Sequence, residues 1–292
     1  MNTKLLRSSL LLVGSLCFIA GLSAQTPAAP KLEFPDPSPA ATIKQRVGIT
    51  NIQIDYSRPS RKGREIFGGL VPFDKVWRTG ANSATKISFS TAVKLNGAEV
   101  PAGEYALFSI PGKTEWTVIL NKVTGQWGSY AYDEKNDVIR VKTVPLAYPS
   151  AVESFSIGLA DLTEHSATLY LLWEKTRASV KVEIDTAGLL APQIEAAMAA
   201  TDGKKPYFPA AMFYYENDLD LKKAATWIDA AVLEQPEAFW MIYRQGLIHA
   251  KMGDKAGALA AAKKSLELTA TQKGEIKDEY TRLNNALIAS LK

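Results

Sequence analysis

The segment Ala178–Asp185, ASVKVEID, alternates between apolar and charged side chains along most of its length. In an extended chain this alternation places alanine, valine and isoleucine on one face and lysine, glutamate and aspartate on the other. A period of two with one polar face predicts an antiparallel strand. Directly after Asp185 the apolar period becomes helical and alanine becomes frequent. The segment therefore indicates both the last strand of a β-region and the boundary of an α-region.

Upstream of this segment, from Thr42 onwards, the chain repeats short alternating runs separated by turns. Asn96-Gly97 predicts a tight hairpin, because both central residues of such a turn need positive φ. No helical stretch of ten residues interrupts the pattern. We expect a β-sandwich or a strongly curved barrel over residues 42–185. The predicted strands are 43–56, 85–95, 104–110, 116–121, 138–144, 152–160, 168–175 and 178–185.

Downstream, the α-region carries an internal repeat with a period of 34 residues, the period of tetratricopeptide repeats. An offset of that length aligns Ala224 with Ala258, Ala231 with Ser265, Phe208 with Ile242 and Tyr215 with His249. Glycine occupies the small-residue positions of the second unit but not of the first. Residues 186–292 are thus predicted to form tetratricopeptide-like hairpins closed by a helix near 275–291, with a generic helical bundle as the alternative. Two units are few for an independent solenoid, so we expect this region to pack on the β-domain or on a second subunit.

The N-terminal residues 1–24 have the layout of a secretory signal peptide: a basic start, an apolar run and small residues before Gln25. The apolar run is shorter than the roughly twenty residues that cross a bilayer, so we expect cleavage and no remaining transmembrane span. Residues 25–41 hold five prolines between Pro27 and Pro39, which predicts an extended linker. The predicted location is the periplasm or the cell exterior.

Cysteine and charge exclude several classes of protein. Cys17, the single cysteine, lies in the predicted signal peptide, so the exported chain has no disulfide, thiolate metal site or cysteine nucleophile. Neither of the two histidines has a companion at metal-ligand spacing, and we predict no metal and no cofactor. The formal charge of +4 becomes +2 when Lys4 and Arg7 leave with the signal. A chain so close to neutral is not expected to bind nucleic acid.

The stretch 55–82, DYSRPSRKGREIFGGLVPFDKVWRTGAN, holds four of the ten arginines together with several aromatic residues. A guanidinium group binds carboxylates and phosphates at two points and stacks on aromatic rings. A second aromatic segment, QWGSYAY, lies further along the chain, and together these side chains suit a small polar ligand or a glycan. In the alternative, the arginines fix the loop to acidic residues such as Asp55, Glu65 and Asp74. The candidate ligand-binding residues are Tyr56, Arg58, Arg64, Trp77, Arg78, Asn82, Trp127 and Tyr130.

The acidic turn YDEKND contributes Asp133 and Asp137 as further candidates, either for calcium or for acid–base chemistry. A solvated turn is the alternative interpretation. Trp116 and Trp173 lie within predicted strands and are expected in the core, and Glu174 is expected to point outward from its strand.

The motifs YSRPSRKGREIFGGLVPFDKVWRTGAN, PAGEYALFSIPG, EWTVILNK and WGSYAYDEKND resemble a family of exported bacterial proteins known as domain of unknown function 2911. The resemblance covers about residues 38–185 and implies no activity. It places the family's hallmark positions at Tyr56, Ser57, Arg58, Pro59, Gly63, Arg64, Phe67, Gly68, Trp77, Arg78, Gly80, Asn82, Trp127, Gly128, Tyr130 and Asp137. Several of these are glycine or proline, which have backbone reasons for their positions.

Three functions are compatible with these patterns. The first is an exported, non-enzymatic protein whose β-domain binds a polar or anionic ligand and whose helices contact a protein partner. The second is a glycan hydrolase that uses two carboxylates about 5 to 10 Å apart, drawn from a small acidic set. The third is an envelope scaffold, which needs no pocket. The acidic set of the second hypothesis is Asp55, Asp133, Glu134 and Asp137.

Overall fold

The computed structural model describes residues 34–292, in which an antiparallel β-region (40–183) is followed by six helices (186–290). The prediction of an all-β domain followed by an all-α domain is confirmed. The predicted signal peptide and the linker up to residue 33 lie outside the described residues. Strand pairing begins at Ala40, within the last part of the predicted linker.

Within residues 34–292, ten strands form two antiparallel sheets, so the β-domain is a sandwich. One sheet has six strands in the order β1-β2-β3-β6-β7-β8, and the other has four in the order β5-β4-β10-β9. A short 3-10 turn, Glu134–Asn136, precedes β8. The strands are β1 Ala40–Val47, β2 Thr50–Ser57, β3 Thr85–Phe89, β4 Val93–Leu95, β5 Ala98–Val100, β6 Gly103–Ile110, β7 Trp116–Asn121, β8 Asp137–Thr143, β9 Leu146–Ala160 and β10 Ser166–Glu183.

The structure corrects four of the predicted strands. The segment 43–56 is a hairpin of β1 and β2, because Gly48 turns the chain at a φ of 53°. The segment 85–95 divides into β3 and β4, which belong to different sheets. The segments 168–175 and 178–185 join in one strand, β10, whose bulges around Glu174 change which alternate residues face the core. The hairpin predicted at Asn96-Gly97 is confirmed, with both residues at positive φ.

An aromatic cluster fills the centre of the sandwich. Trp116 and Trp173 are almost fully buried, as predicted. The Trp77 ring stacks on Trp173 with centroids 6.0 Å apart, and Phe155 packs against Trp77 at 5.0 Å. Phe67 contacts the rings of all three tryptophans. Because burial of one large apolar side chain contributes about 1.5–3 kcal/mol, the loop that carries Phe67 and Trp77 is part of the core.

The helices form consecutive hairpins. The pairs α2–α3 and α4–α5 are each joined by a short turn, and each second helix starts with an aspartate, Asp220 or Asp254, whose carboxylate caps the first turn. Ala224 and Ala258, which the 34-residue offset aligns, are both fully buried. The structure confirms the final helix that the sequence predicts near 275–291. The helices are α1 Thr186–Ala199, α2 Tyr207–Glu216, α3 Leu221–Glu234, α4 Phe239–Lys251, α5 Lys255–Thr269 and α6 Gly274–Ser290.

The first turn of α1 contacts the β-domain. The hydroxyl of Thr186 donates to the carbonyl oxygen of Glu164 at 2.9 Å, and Leu189 packs against the core of the sandwich. Gly48 permits this approach, since a Cβ there would lie 2.5 Å from the Glu164 oxygen. The start of the helical region is therefore held against the β-domain by specific contacts.

Candidate functional site

Arg58 ties the arginine-rich loop to the opposite sheet. Its Nε donates to the carbonyl oxygen of Phe155 at 3.0 Å, and its Nη2 donates to Ser156 Oγ at 2.8 Å. The backbone beside it adds a bond from Phe155 N to Pro59 O. Arg58 thus braces the loop, as in the structural alternative. Its acceptors are a carbonyl and a hydroxyl oxygen, however, and not the carboxylates which that alternative predicted.

Arg64 makes only local contacts within the described chain. Its Nε donates to Arg61 O at 2.9 Å and its Nη2 donates to Ser60 O at 2.6 Å. The neighbouring Arg61 forms an ion pair with Glu174 at 3.3 Å. Arg64 is exposed and closes its own turn, so the structure does not place it in a shared site with the other candidates.

Tyr56 and Trp77, two further candidates, lie in the core. The Tyr56 hydroxyl accepts from Ile157 N at 3.2 Å, and its ring packs edge-on against Phe155. The indole nitrogen of Trp77 donates to Gly80 O at 3.1 Å. Both side chains are buried and hydrogen-bonded inside the protein, so neither faces a ligand.

The remaining four candidates come together where the loop preceding β3 meets the segment 124–130. Nη1 of Arg78 donates to Asn82 O at 2.8 Å, and that oxygen also accepts from Gly128 N at 3.0 Å. A Cβ at Gly128 would lie 2.7 Å from Tyr130 Cε2 and 3.2 Å from Arg78 Nη1. Another residue at this position would displace the tyrosine ring, and the φ of 72° at Gly128 also favours glycine.

The aromatic rings of this assembly are open to solvent. Trp127 is 65% exposed and Tyr130 is 84% exposed, whereas Arg78 between the two segments is partly buried. We name the patch formed by Arg78, Asn82, Trp127 and Tyr130 the Arg78–Trp127 surface. Tyrosine and tryptophan are enriched at interfaces because each combines a large apolar ring with a polar group.

The backbone beneath the Arg78–Trp127 surface is strained. Thr79 has a φ of 52°, which is unusual for a β-branched residue, and Asn82 has a φ of 58°. Hydrogen bonds hold Thr79 in this conformation: its hydroxyl contacts Ser109 Oγ at 2.9 Å, and its carbonyl accepts from Thr85 Oγ1 at 2.6 Å. Such strain persists only where the surroundings fix it, and it is concentrated at functional sites.

The acidic candidates belong to a separate, braced turn. One oxygen of Asp137 accepts from Asn121 Nδ2 at 2.8 Å, and the other accepts from the Tyr132 hydroxyl at 2.6 Å and from Arg140 Nη1 at 3.2 Å. Burial and the hydrogen bond to Asp137 raise the pKa of Tyr132, so the phenol stays protonated. Asp133 caps the 3-10 turn by accepting from Lys135 N. Sequence reasoning missed Arg140. Its position three residues after Asp137, a spacing at which opposite charges can pair, could have indicated this contact.

Asp55 lies far from that turn. The register places Asp55 and Asp137 in one row across the six-stranded sheet, four strands apart, which corresponds to about 19 Å along the sheet. Burial raises the pKa of Asp55, but hydrogen bonds from Thr42 and Gln53 and nearby lysines outweigh it and keep the pKa below its usual value. Asp55 is therefore ionised and too distant to pair with Asp137.

Residues 34–292 contain no group of three or more His, Cys, Asp or Glu side chains arranged to hold a metal ion. In the same range, the helices lack the combination of length and apolar character that is needed to cross a membrane.

Comparison with known proteins gives one match. The model of the family described as "Protein of unknown function (DUF2911)" matches residues 38–182, nearly the whole β-domain. Neither the curated proteins nor the solved structures give a match to the chain. The family match includes the arginine-rich loop, the 124–130 segment and the acidic turn. It supports the resemblance of the β-domain to the DUF2911 family that the motifs indicate.

Proposed function

We propose that this protein is a non-enzymatic binding protein whose β-domain binds a polar or anionic ligand, with glycans among the candidates, at the Arg78–Trp127 surface. The observation that carries the proposal is the meeting of two segments: the exposed Tyr130 ring and the partly buried Arg78 both lie against Gly128, and the exposed Trp127 precedes that glycine and pairs with Ser83 in a β-bridge. Flat rings pack on sugar faces, and a guanidinium fork binds hydroxyl, carboxylate or phosphate oxygens.

The hydrogen bonding of Arg78 supports this role. Within residues 34–292, its guanidinium group donates one hydrogen bond, from Nη1 to Asn82 O, and contacts no carboxylate. Its other nitrogens therefore retain donors for a ligand. Arg58, by contrast, uses two nitrogens on acceptors of β9. The difference separates one arginine that supports the fold from one that is available for binding.

The carboxylate geometry favours binding over hydrolysis. The hydrolase hypothesis needs two carboxylates across a cleft, about 5 to 10 Å apart. Asp137 already has three hydrogen-bond donors, and Asp55 lies about 19 Å along the sheet from it. Glu134 and Asp137 do lie close together, since Nη1 of Arg140 contacts both, at 3.5 and 3.2 Å, but that guanidinium group already neutralises the pair. No observation places two of these groups on a substrate.

For the helical region we propose a tetratricopeptide-like array that contacts a protein partner. This proposal is supported by the similarity of the hairpins α2–α3 and α4–α5. In each hairpin an aspartate, Asp220 or Asp254, caps the second helix, and alanines at aligned positions are buried. Large apolar side chains remain exposed on these helices, among them Leu233 and Trp240. Such residues are available for contact with another protein.

We further propose that the protein acts in the periplasm or outside the cell. This location rests on the sequence pattern of residues 1–24, with its basic start, apolar run and small residues before Gln25. Fractionation of cells that produce the full chain, with N-terminal sequencing of the product, tests it. Cleavage after Ala24 and recovery outside the cytoplasm are expected, and an uncleaved cytoplasmic product would contradict it.

The binding proposal is tested with a thermal-shift screen of neutral, acidic and sulfated oligosaccharides and small polycarboxylates. At least one compound is expected to raise the melting temperature of the wild type. Trp127→Ala and Arg78→Met should each remove that shift while leaving the unliganded melting temperature within a few degrees. Trp240→Ala, which removes a partly exposed tryptophan from α4, is the matched control and should keep the shift. Absence of any stabilising compound, or equal loss in the Trp240 variant, would refute the proposal.

A further inference from the structure

Strand β1 leaves one edge of the six-stranded sheet open. Within residues 34–292 it pairs only with β2, and the bond from Arg58 N to Pro39 O, directly before β1, shows that the odd-numbered residues face β2. Because successive residues of a strand direct their N–H and C=O groups to opposite sides, the even-numbered residues direct theirs to the open edge. In the described chain only one of these groups has a hydrogen-bond partner: Arg46 O accepts from Gln45 Nε2 at 2.9 Å. The residues with outward backbone groups are Ala40, Thr42, Lys44 and Arg46.

The other edges of the two sheets are protected in the part of the chain that the structure describes. Residues 59–61 cover β9 and form two backbone hydrogen bonds with it, at 2.8 and 2.9 Å. β5 has three residues and is followed by Pro101. β8 lies against β5 and β10 of the other sheet, and its Lys142 O accepts from Asn96 Nδ2 at 3.0 Å. β1, by contrast, has eight residues without a proline or a bulge, and an open edge of this kind can pair with another chain.

The two faces of β1 carry different side chains. Ala41 and Ile43 pack against the core of the sandwich but stay partly exposed. On the other face, Lys44 and Arg46 are exposed and contact no carboxylate within residues 34–292. Asp55 of β2 lies on that same face, beside Thr42 in the register, and has no ion pair in that range either. Exposed charges of both signs therefore lie along the open edge.

One antiparallel register uses all four outward residues of two β1 strands. It places Ala40 opposite Arg46 of the second copy and Thr42 opposite Lys44 of the second copy, with the two copies of Ile43 facing each other on a two-fold axis. A register centred on Lys44 would instead set two ammonium groups directly opposite each other, which is unfavourable. The sequence of β1 therefore favours the register centred on Ile43.

We propose that two copies of this chain form a dimer by antiparallel pairing of their β1 strands around a two-fold axis at Ile43. Two six-stranded sheets would then form one continuous sheet of twelve strands. Four hydrogen-bonded residue pairs, each exchanging two bonds, supply about eight hydrogen bonds between the backbones. The two Ile43 side chains cover each other's exposed part. Lys44 of each copy lies two strand spacings, about 10 Å between Cα atoms, from Asp55 of the other, with only the small Thr42 between them.

This interface lies on β1 and includes no residue of the Arg78–Trp127 surface. The dimer goes beyond the proposed ligand binding and does not depend on it. Each proposal can therefore fail without the other.

Cysteine cross-linking tests both the pairing and the register. All variants carry Cys17→Ser, so the introduced cysteine is the only one in the chain. Ile43→Cys brings the two Cα atoms to about 4.5 Å, a separation that a disulfide spans. In Gln45→Cys, on the same face, the two Cα atoms would be about 14 Å apart, so this matched control should cross-link at least about tenfold more slowly. A mixture of Ala41→Cys and Gln45→Cys should form the mixed disulfide, because these positions face each other in the register.

The proposal is overturned if Ile43→Cys gives no cross-linked dimer or reacts no faster than Gln45→Cys. It is also overturned if the mixture forms no more mixed disulfide than either variant forms with itself.

Sedimentation equilibrium measures the dimer without a cysteine, on protein purified from cells that produce the full chain. Wild type is expected to shift from monomer to dimer as its concentration rises. Thr42→Pro removes an outward N–H but no bond to β2, a position at which strands accept proline. It should weaken the dimer about tenfold, since each dimer loses two hydrogen bonds. Thr42→Val removes the same hydroxyl contact with Asp55 but keeps the N–H, so this matched control should associate like wild type. A wild type that is monomeric at every concentration, or equal association of Thr42→Pro and Thr42→Val, would contradict pairing through β1.

Discussion

Substitution of Arg58 by methionine removes the guanidinium group and keeps an unbranched apolar stem, so it isolates the hydrogen bonds of Arg58 from its packing. Two bonds are lost, to Phe155 O at 3.0 Å and to Ser156 Oγ at 2.8 Å. A hydrogen bond from a charged donor contributes about 1.5–3 kcal/mol. Because Arg58 is only partly buried, we expect a total loss of about 2–4 kcal/mol in the free energy of unfolding.

Urea denaturation followed by the fluorescence of the buried tryptophans measures this loss for the β-domain. With an m-value of about 2–3 kcal/mol/M, the midpoint should fall by about 1 M. Arg64→Met is the matched control, because it removes a guanidinium group that bonds only to carbonyls within its own exposed turn. Its cost should stay below about 1 kcal/mol. If Arg58→Met costs no more than Arg64→Met, the bracing role of Arg58 is wrong.

Trp77 is buried and Trp127 is exposed, so their replacement should have different costs. Trp77→Ala is expected to lower the free energy of unfolding by about 3–5 kcal/mol, and Trp127→Ala by less than about 0.5 kcal/mol. Similar losses for the two variants in urea denaturation would contradict the assignment of Trp77 to the core and Trp127 to the surface. Gly128→Ala should displace Tyr130 and Arg78, because its Cβ would overlap the tyrosine ring, and should abolish any ligand-induced thermal shift; an unchanged shift would show that the ring position is irrelevant. The ring nitrogens of His249 lie 3.1 Å from Asp229 Oδ1 and 2.8 Å from Asp254 Oδ2. Burial lowers the pKa of His249, but the hydrogen bonds to the two carboxylates have the larger combined effect and raise the pKa above 6.5. Its stabilising contribution is therefore fully present below pH 6.5 and is lost as the pH rises through the folded-state pKa, so the stability gap between wild type and His249→Gln should be larger at pH 6 than at pH 9. A gap that widens with pH would contradict this sign.

Local sequence patterns predicted the β-domain well because each strand buries one face. The alternation in Ala178–Asp185 needs no distant information, and Asn96-Gly97 requires positive φ whatever surrounds it. The merging of two predicted strands into β10 was not predictable in this way, since the bulges around Glu174 depend on pairing with β9. Periodicity thus identified the class of structure and not its register.

The candidate site was predictable only as a set of residue types. Arg58 and Phe155 are separated by almost a hundred residues, and nothing in either segment indicates that they meet. Acidic residues near in sequence were the expected partners of the arginines, but in the folded chain carbonyl oxygens are closer. The meeting of Arg78 with Gly128 likewise depends on the packing of two loops. Sequence spacing therefore could not distinguish Arg58, which supports the fold, from Arg78, which has donors free to bind a ligand.

The most direct test of a binding role for the Arg78–Trp127 surface is the indole N–H region of a ¹⁵N NMR spectrum, recorded with and without a stabilising compound from the screen. The chain has six tryptophans, whose signals are assigned by single substitutions. We predict that the Trp127 signal shifts on ligand addition while the signals of the core residues Trp116 and Trp173 stay in place. A stationary Trp127 signal in the presence of a bound ligand would contradict the proposed site.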